Sequence, residues 1–190
     1  MPHNSAWGDK LASIGTIAAQ PASGSVKITE ASVNGRFFSM KFTFTAARVT
    51  VTDAAASGSS GSLKIFDFNE GVVQVLGSSH TWSGFTEGSA LTGAANDAAF
   101  VIAFGSAPAD AGDGALTSTE VNFAATKSIT LPSTGLNATT VTAAQTPLDG
   151  TATAVDLYLN WSGSAATIDA NSTIDVTGSF YVWGFMGADD

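Results

Sequence analysis

The 190-residue chain predicts an all-β fold: an antiparallel β-sandwich, jelly-roll-like, over residues 23–190, with a short N-terminal arm over residues 1–22. Three observations carry the prediction. Apolar and polar residues alternate with a period of two in several stretches, as in strands with one buried and one wet face. Clusters of Gly, Asn, Asp, Ser and Pro interrupt those stretches at short intervals. Ala-rich segments are broken by Gly, Ser and Thr before helical turns can accumulate. About nine or ten short strands in one chain point to a sandwich or barrel. A chain of this length buries roughly 70% of its unfolded-state surface, enough for a core without disulfide staples.

Residues 26–30 (VKITE) read as the first strand. Asn34 and Gly35 make the best hairpin turn, because both tolerate positive φ. Residues 36–46 (RFFSMKFTFTA) set Phe38, Met40, Phe42 and Phe44 on one face and Ser39, Lys41, Thr43 and Thr45 on the other. The run continues through residues 48–52 after a bend at Ala46 and Ala47. Residues 54–62 (AAASGSSGS) read as an exposed loop within the domain. Residues 63–68 and 72–76, around a turn at Asn69, Glu70 and Gly71, form either a second hairpin or a strand turning into another element. Residues 80–99 show little period, and His80 falls in a loop. The apolar run at 100–104 (FVIAF) belongs in the middle of the core. A loop follows at 105–118, then one or two strands within 121–131, an edge piece near 139–144 and a turn at 147–150. Val155, Leu157, Leu159 and Trp161 alternate with Asp156, Tyr158 and Asn160. In the last strand Ile174, Val176, Gly178, Phe180 and Val182 alternate with Asp175, Thr177, Ser179, Tyr181 and Trp183.

The net charge of −9 is unevenly spread. Residues 1–64 hold six of the seven basic residues against three acids; residues 65–190 hold Lys127 against thirteen. Such asymmetry points to electrically different surfaces. No basic cluster or stripe suggests nucleic acid as a partner. No apolar run is long enough to cross a membrane, and the N-terminus lacks the pattern of a signal peptide, so the chain reads as made and used without export. Three Asn-x-Ser/Thr triplets, at Asn137, Asn160 and Asn171, are then better explained by chance than by glycosylation.

Catalytic apparatus is hard to find. The chain has no cysteine and no Gly-x-Ser-x-Gly elbow, and its two histidines, His3 and His80, are far apart in sequence. Two histidines without cysteine do not make a zinc site. Asp110 and Asp113 in a Gly-rich loop lack the rest of a calcium-binding pattern and read as turn formers. The expectation is a protein that is not an enzyme and takes no cofactor, with no metal site and no catalytic residues. Sixteen acids leave room for a carboxylate-dependent hydrolase, a weaker reading. Trp7, Trp82, Tyr158, Trp161, Tyr181 and Trp183 are candidates for stacking on sugars, a role that competes with core packing and subunit contacts.

Residues 42–78, residues 149–185 and the closing Gly-Ala-Asp-Asp resemble the small virion structural proteins of tailed bacteriophages, of the capsid decoration or cement type. The similarity spans about two-thirds of the chain and lies in the running pattern of strands, turns and glycines. It implies a β-sandwich on the capsid surface, bound to the major capsid protein, commonly as a trimer, with no active site to carry over. The alternative is a glycan- or host-surface-binding β-module on a tail or fibre. Surplus apolar residues near both termini supply candidate interface positions: Trp7, Leu11 and Ile14 at one end, Tyr181, Trp183 and Phe185 at the other. The last three fall on the face of the final strand that a lone sandwich leaves wet.

Overall fold

The alternating stretches pair into antiparallel strands throughout. The computed structural model describes residues 11–53, 58–87, 99–110, 115–130, 133–134, 140–142, 147–163 and 171–187. Its strands, in chain order, are β1 (Gly15–Ile17), β2 (Ser25–Asn34), β3 (Phe37–Asp53), β4 (Ser59–Phe68), β5 (Gly71–Glu87), β6 (Ala99–Gly105), β7 (Ala124–Thr130), β8 (Ser133–Thr134), β9 (Thr140–Thr142), β10 (Leu148–Gly150), β11 (Asp156–Gly163) and β12 (Ser172–Met186). A 3-10 turn, Ser118–Glu120, lies between β6 and β7.

The order of pairing explains the shape. β3 pairs with β12, β4 with β11, β6 with β7, and β5 with the short strands β8, β9 and β10 in succession. With those three short pieces counted as one broken edge strand, the first of eight main strands pairs with the last, the second with the seventh, the third with the sixth and the fourth with the fifth. That nesting is the winding of a jelly roll. It yields one layer ordered β2-β3-β12-β5 and a facing layer ordered β4-β11-β6-β7, with β1 on the edge of β4. The two are continuous at one corner, where Val51, Thr52 and Asp53 pair with Gly61, Ser60 and Ser59.

β3 shows how sequence sets this up. Phe38, Met40, Phe42 and Phe44 are all at most 1% exposed, and so are Ala47, Val49 and Val51. The buried set changes from even to odd positions because a bulge intervenes: opposite β12, the register jumps between Val176 and Gly178. Ala46 sits in the bulge at φ 47° and donates its N–H to Thr177 Oγ1 at 3.1 Å. One extra residue re-phases the strand, so both halves face the core. The β2–β3 hairpin closes at Asn34 opposite Phe37. Its loop is therefore Gly35 and Arg36, one position later than the sequence suggests, with Gly35 at φ 61°, as the first position of a type II′ turn requires.

Aromatic rings fill the space between layers. Phe104 of β6 stacks on Phe180 of β12 at 3.7 Å and lies parallel to Trp82 of β5 at 6.0 Å. Phe42 meets both Phe66 and Phe180. The run at 100–104 lies between β11 and β7, in the core as expected.

Several expectations are corrected. Residues 59–62 are not loop but the start of β4, with Ser59 and Ser60 buried, because they pair with both β3 and β11. Of the two readings for residues 63–76, the second holds: β4 and β5 are in different layers and do not pair. His80 lies within β5, not in a loop, and is 1% exposed. In the chain assigned to the arm, β1 pairs with β4, and Ile14 joins the core at 2% exposure.

Candidate assembly interface

β12 runs between β3 and β5, so its outward side chains lie at the middle of a three-strand surface. Tyr181 is flanked by Lys41 and Ser79, Trp183 by Ser39 and Gly77, and Phe185 by Phe37 and Gln74. The four rings Tyr181, Trp183, Phe185 and Phe37 form one outward stripe. Tyr181 and Trp183 have ring centroids 5.4 Å apart, and Phe185 meets Phe37 edge-on at 5.5 Å. Phe185 is 45% exposed; the other three are half-buried, by one another and by the sheet. Gly77 permits the arrangement, because a Cβ there would overlap the Trp183 indole.

The rest of this outer face is polar. Thr43, Ser179 and Thr81 form a row of hydroxyls across β3, β12 and β5, and an open groove of about 370 Å³ runs among them. Lys41 is paired with Glu30 at 2.7 Å, and Arg48 grips Asp175 through two hydrogen bonds of 2.7 Å. The hydrogen-bonded carboxylate of Asp175 raises the Arg48 pKa further above neutrality. Lys27 on β2 and Arg36 at the hairpin tip are exposed and have no ion-pair partner among the described residues. This face therefore carries an excess of positive charge on a chain of net charge −9.

The six positions named from sequence separate into groups. Tyr181, Trp183 and Phe185 come together, as expected, and Phe37 joins them; its partner position opposite Phe185 could be found only once the β3–β12 register was known. Ile14 is enclosed by the chain's own core and offers no surface, and Leu11 packs against the same core. Trp7 lies outside the described residues. Of the remaining candidate sugar-stacking residues, Trp82 and Trp161 are wholly buried, and Tyr158 donates its hydroxyl proton to Asp156 at 3.0 Å.

Comparison with protein-family models, with curated proteins and with solved structures finds no match.

A second surface feature went unread in the sequence. Beside β10 and β11 a cleft of about 500 Å³ is lined by Pro108, Pro147, Leu148 and Tyr158, with Asp149 and Asp156 on its rim. Asp149 is held below the usual carboxylate range by hydrogen bonds from the Thr151 hydroxyl and N–H. Asp156 is also lowered: partial burial opposes its charge, and hydrogen bonds from Lys64 and Tyr158 outweigh that penalty. Lys64 bridges Asp67 and Asp156, and the paired carboxylates raise its own pKa. The turn expected at 147–150 is instead strand β10, because Leu148–Gly150 pair with β5, and no local pattern marks Pro147 and Leu148 as bordering a cleft.

On the opposite layer, residues 106–110 and 115–122 lie beside β4, β11 and β6, held by polar groups. Asn160 is fully buried; its amide donates to the carbonyls of Ala107 and Glu120 at 2.8 and 2.9 Å and accepts from Ser62 and the Ala109 N–H. Glu120 accepts the N–H groups of Asp110 and Thr117. Burial removes Asn160 from any glycosylation, in keeping with the chance reading of its triplet. Asn171 is exposed and accepts the Asp53 N–H; Asn137 lies outside the described residues. So does Asp113 of the calcium candidate. Among the described residues no group of three or more His, Cys, Asp or Glu could hold a metal ion, and no helix is long and apolar enough to cross a membrane.

Proposed function

We propose that the chain is a non-catalytic virion structural protein that decorates and stabilises the outside of a phage capsid through contacts bridging neighbouring subunits. The observation that carries this reading is the outward stripe of Phe37, Tyr181, Trp183 and Phe185 on one face of the sandwich. Aromatic residues of this kind form the centres of protein contacts, where hydroxyl-rich rims exclude water around them. The resemblance of residues 42–78 and 149–185 to capsid decoration proteins supplies the setting: the major capsid protein as partner, copies associated with one another, the trimer favoured. Repetition on a symmetric shell adds avidity, so each contact need be only modest. Neither a nucleic acid nor a membrane is part of this reading, and the place of action is the virion surface after synthesis in the host cytoplasm. Particles lacking the protein should rupture at lower temperature, and adding it back should restore them. Unchanged particle stability, with the protein absent from purified wild-type particles, would end the proposal.

One observation favours a second reading, a glycan- or host-surface-binding module on a tail or fibre. The Tyr181–Trp183 ring pair shares a face with the hydroxyl-lined groove, Tyr181 lying opposite Lys41 of its lining, an arrangement suited to an extended neutral sugar. Glycan-array binding that disappears in Trp183→Ala would favour it; silence across the array would count against it.

A further inference from the structure

Of the asparagines in the sequence, Asn34 alone is followed by glycine. The fold places that pair where it can react. Asn34 ends β2, is exposed, and closes the hairpin opposite Phe37. Gly35 follows at φ 61°, and a Cβ built there would meet nothing within 4 Å, so the tip stands open to solvent. The Gly35 N–H lies in the two-residue loop, outside the ladder. Neither it nor the Asn34 side-chain amide has a hydrogen-bond partner among the described residues. The other described asparagines are held. Asn69 donates to the Ala12 carbonyl, Asn122 bonds to Ser106, Asn160 is buried, and Asn171 accepts the Asp53 N–H. Each of these is followed by a residue whose side chain flanks the neighbouring main-chain nitrogen.

We propose that Asn34 is a site of spontaneous deamidation, with the Gly35 nitrogen as nucleophile and water as co-reactant. The Gly35 nitrogen gives up its proton and bonds to Asn34 Cγ. The Cγ–Nδ2 bond breaks, and Nδ2 leaves as ammonia with that proton, closing a cyclic imide. Water then adds across one of the two carbonyl–nitrogen bonds of the ring. Opening at Cγ yields aspartate. Opening at the Asn34 main-chain carbonyl carbon yields isoaspartate, whose backbone runs through Cβ and Cγ. Nothing is oxidised or reduced. Glycine eases ring closure, because no side chain crowds its nitrogen and its backbone turns freely. The site matters for its place in the fold. The Met186 N–H donates to the Arg36 carbonyl at 2.8 Å, tying the hairpin tip to the end of β12, and Phe37 meets Phe185 edge-on. Either product puts a negative charge at the foot of the aromatic stripe. Isoaspartate also lengthens the main chain at the residue that closes the hairpin with Phe37. The deamidation stands on the turn alone, whereas its effect on particles rests on the proposed function.

The test is to age the purified, folded chain in warm buffer and map it by peptide mass spectrometry, with isoaspartyl methyltransferase to label isoaspartate. The wild type should lose the amide at Asn34 first, faster in mildly alkaline than in mildly acid buffer, because base removes the Gly35 proton. Isoaspartate should accompany aspartate at that position. Asn34→Gln keeps an amide but must close a larger ring; it should melt like the wild type and stay intact at that position. An intact Asn34 in aged wild type, reaction there only after unfolding in denaturant, or aspartate without isoaspartate would each overturn the inference. The effect on the stripe is read separately, by adding fresh and aged protein to particles that lack it. Aged wild type should restore their heat resistance less than fresh, and aged Asn34→Gln should match its fresh form. Equal restoration by fresh and aged wild type would overturn the effect on the stripe, while the deamidation stands.

Discussion

His80 shows how one side chain sets the chain's response to acid. Its Nδ1 accepts the Trp82 indole N–H at 2.8 Å, so the ring proton sits on Nε2, which has no partner among the described residues. Phe104 and Trp82 pack edge-on against the ring. Burial, helped by the charge of Lys127, lowers its pKa to about 4 from an unfolded value of 6.5. The unfolded chain therefore takes up a proton in the window between those values while the folded chain does not. Stability from this site is complete above pH 6.5 and falls by roughly 3 kcal/mol as the pH drops to about 4. The lowered carboxylates of Asp149 and Asp156 act in a separate, more acidic window. Denaturant melts of His80→Asn, which keeps an acceptor near Nδ1, should lose the slope between pH 6.5 and 4; an unchanged slope would assign it to other groups. The sequence misplaced this residue because Ser78, Ser79 and Thr81 surround it and look like loop. In the fold Ser78 is itself buried, its hydroxyl donating to the Phe123 carbonyl at 2.6 Å. Small hydroxyl residues hide strands whenever their polar atoms find partners inside.

At the scale of elements, β3 was the most legible and the cover over β11 the least. A strict period of two placed Phe38, Met40, Phe42 and Phe44 inside, and the phase change marked the bend, since two alanines interrupt an otherwise regular alternation. The bulge carries a cost: Ala46 holds a left-handed conformation that suits glycine. Ala46→Gly should raise stability by about 0.5–1 kcal/mol in chemical denaturation, and a loss would mean that the bulge is held by the Ala46 methyl group itself. In β11 the same alternation misled. It assigned Asn160 to a wet face, yet Ala107, Ala109 and Glu120 of the connection between β6 and β7 meet it there, and it is buried. Alternation reports which side of a strand faces the core; it is silent on what a distant loop lays across the other side. Asn160→Ala should cost about 2–4 kcal/mol, because it strands the carbonyls of Ala107 and Glu120 without a donor. A change below about 0.5 kcal/mol would show that water replaces the amide readily.

For the whole molecule, the pattern of strands and turns was enough to give the class of fold, whereas the jelly-roll order depended on pairings as remote as β3 with β12. The core that these pairings build is a single mass of rings. Phe42 sits inside it against Phe66 and Phe180, so Phe42→Asp should abolish cooperative folding by placing an unpaired charge there. A soluble variant with a normal melt would contradict the register of β3. The contact surface was legible only in part. The final strand's surplus aromatics announced it, but the added ring, Phe37, comes from β3 through register, and the cleft beside β10 and β11 assembles from residues 106 to 158 that no local pattern connects.

We propose that the outer aromatic face of β12 is where this protein meets a capsid shell. A reconstruction of purified particles by electron cryomicroscopy tests it directly. The account predicts symmetric, stoichiometric copies on the outside of the capsid, with the rings of Phe37, Tyr181, Trp183 and Phe185 enclosed in contacts with neighbouring subunits. Particles without the protein, or copies whose stripe faces open solvent, would contradict it.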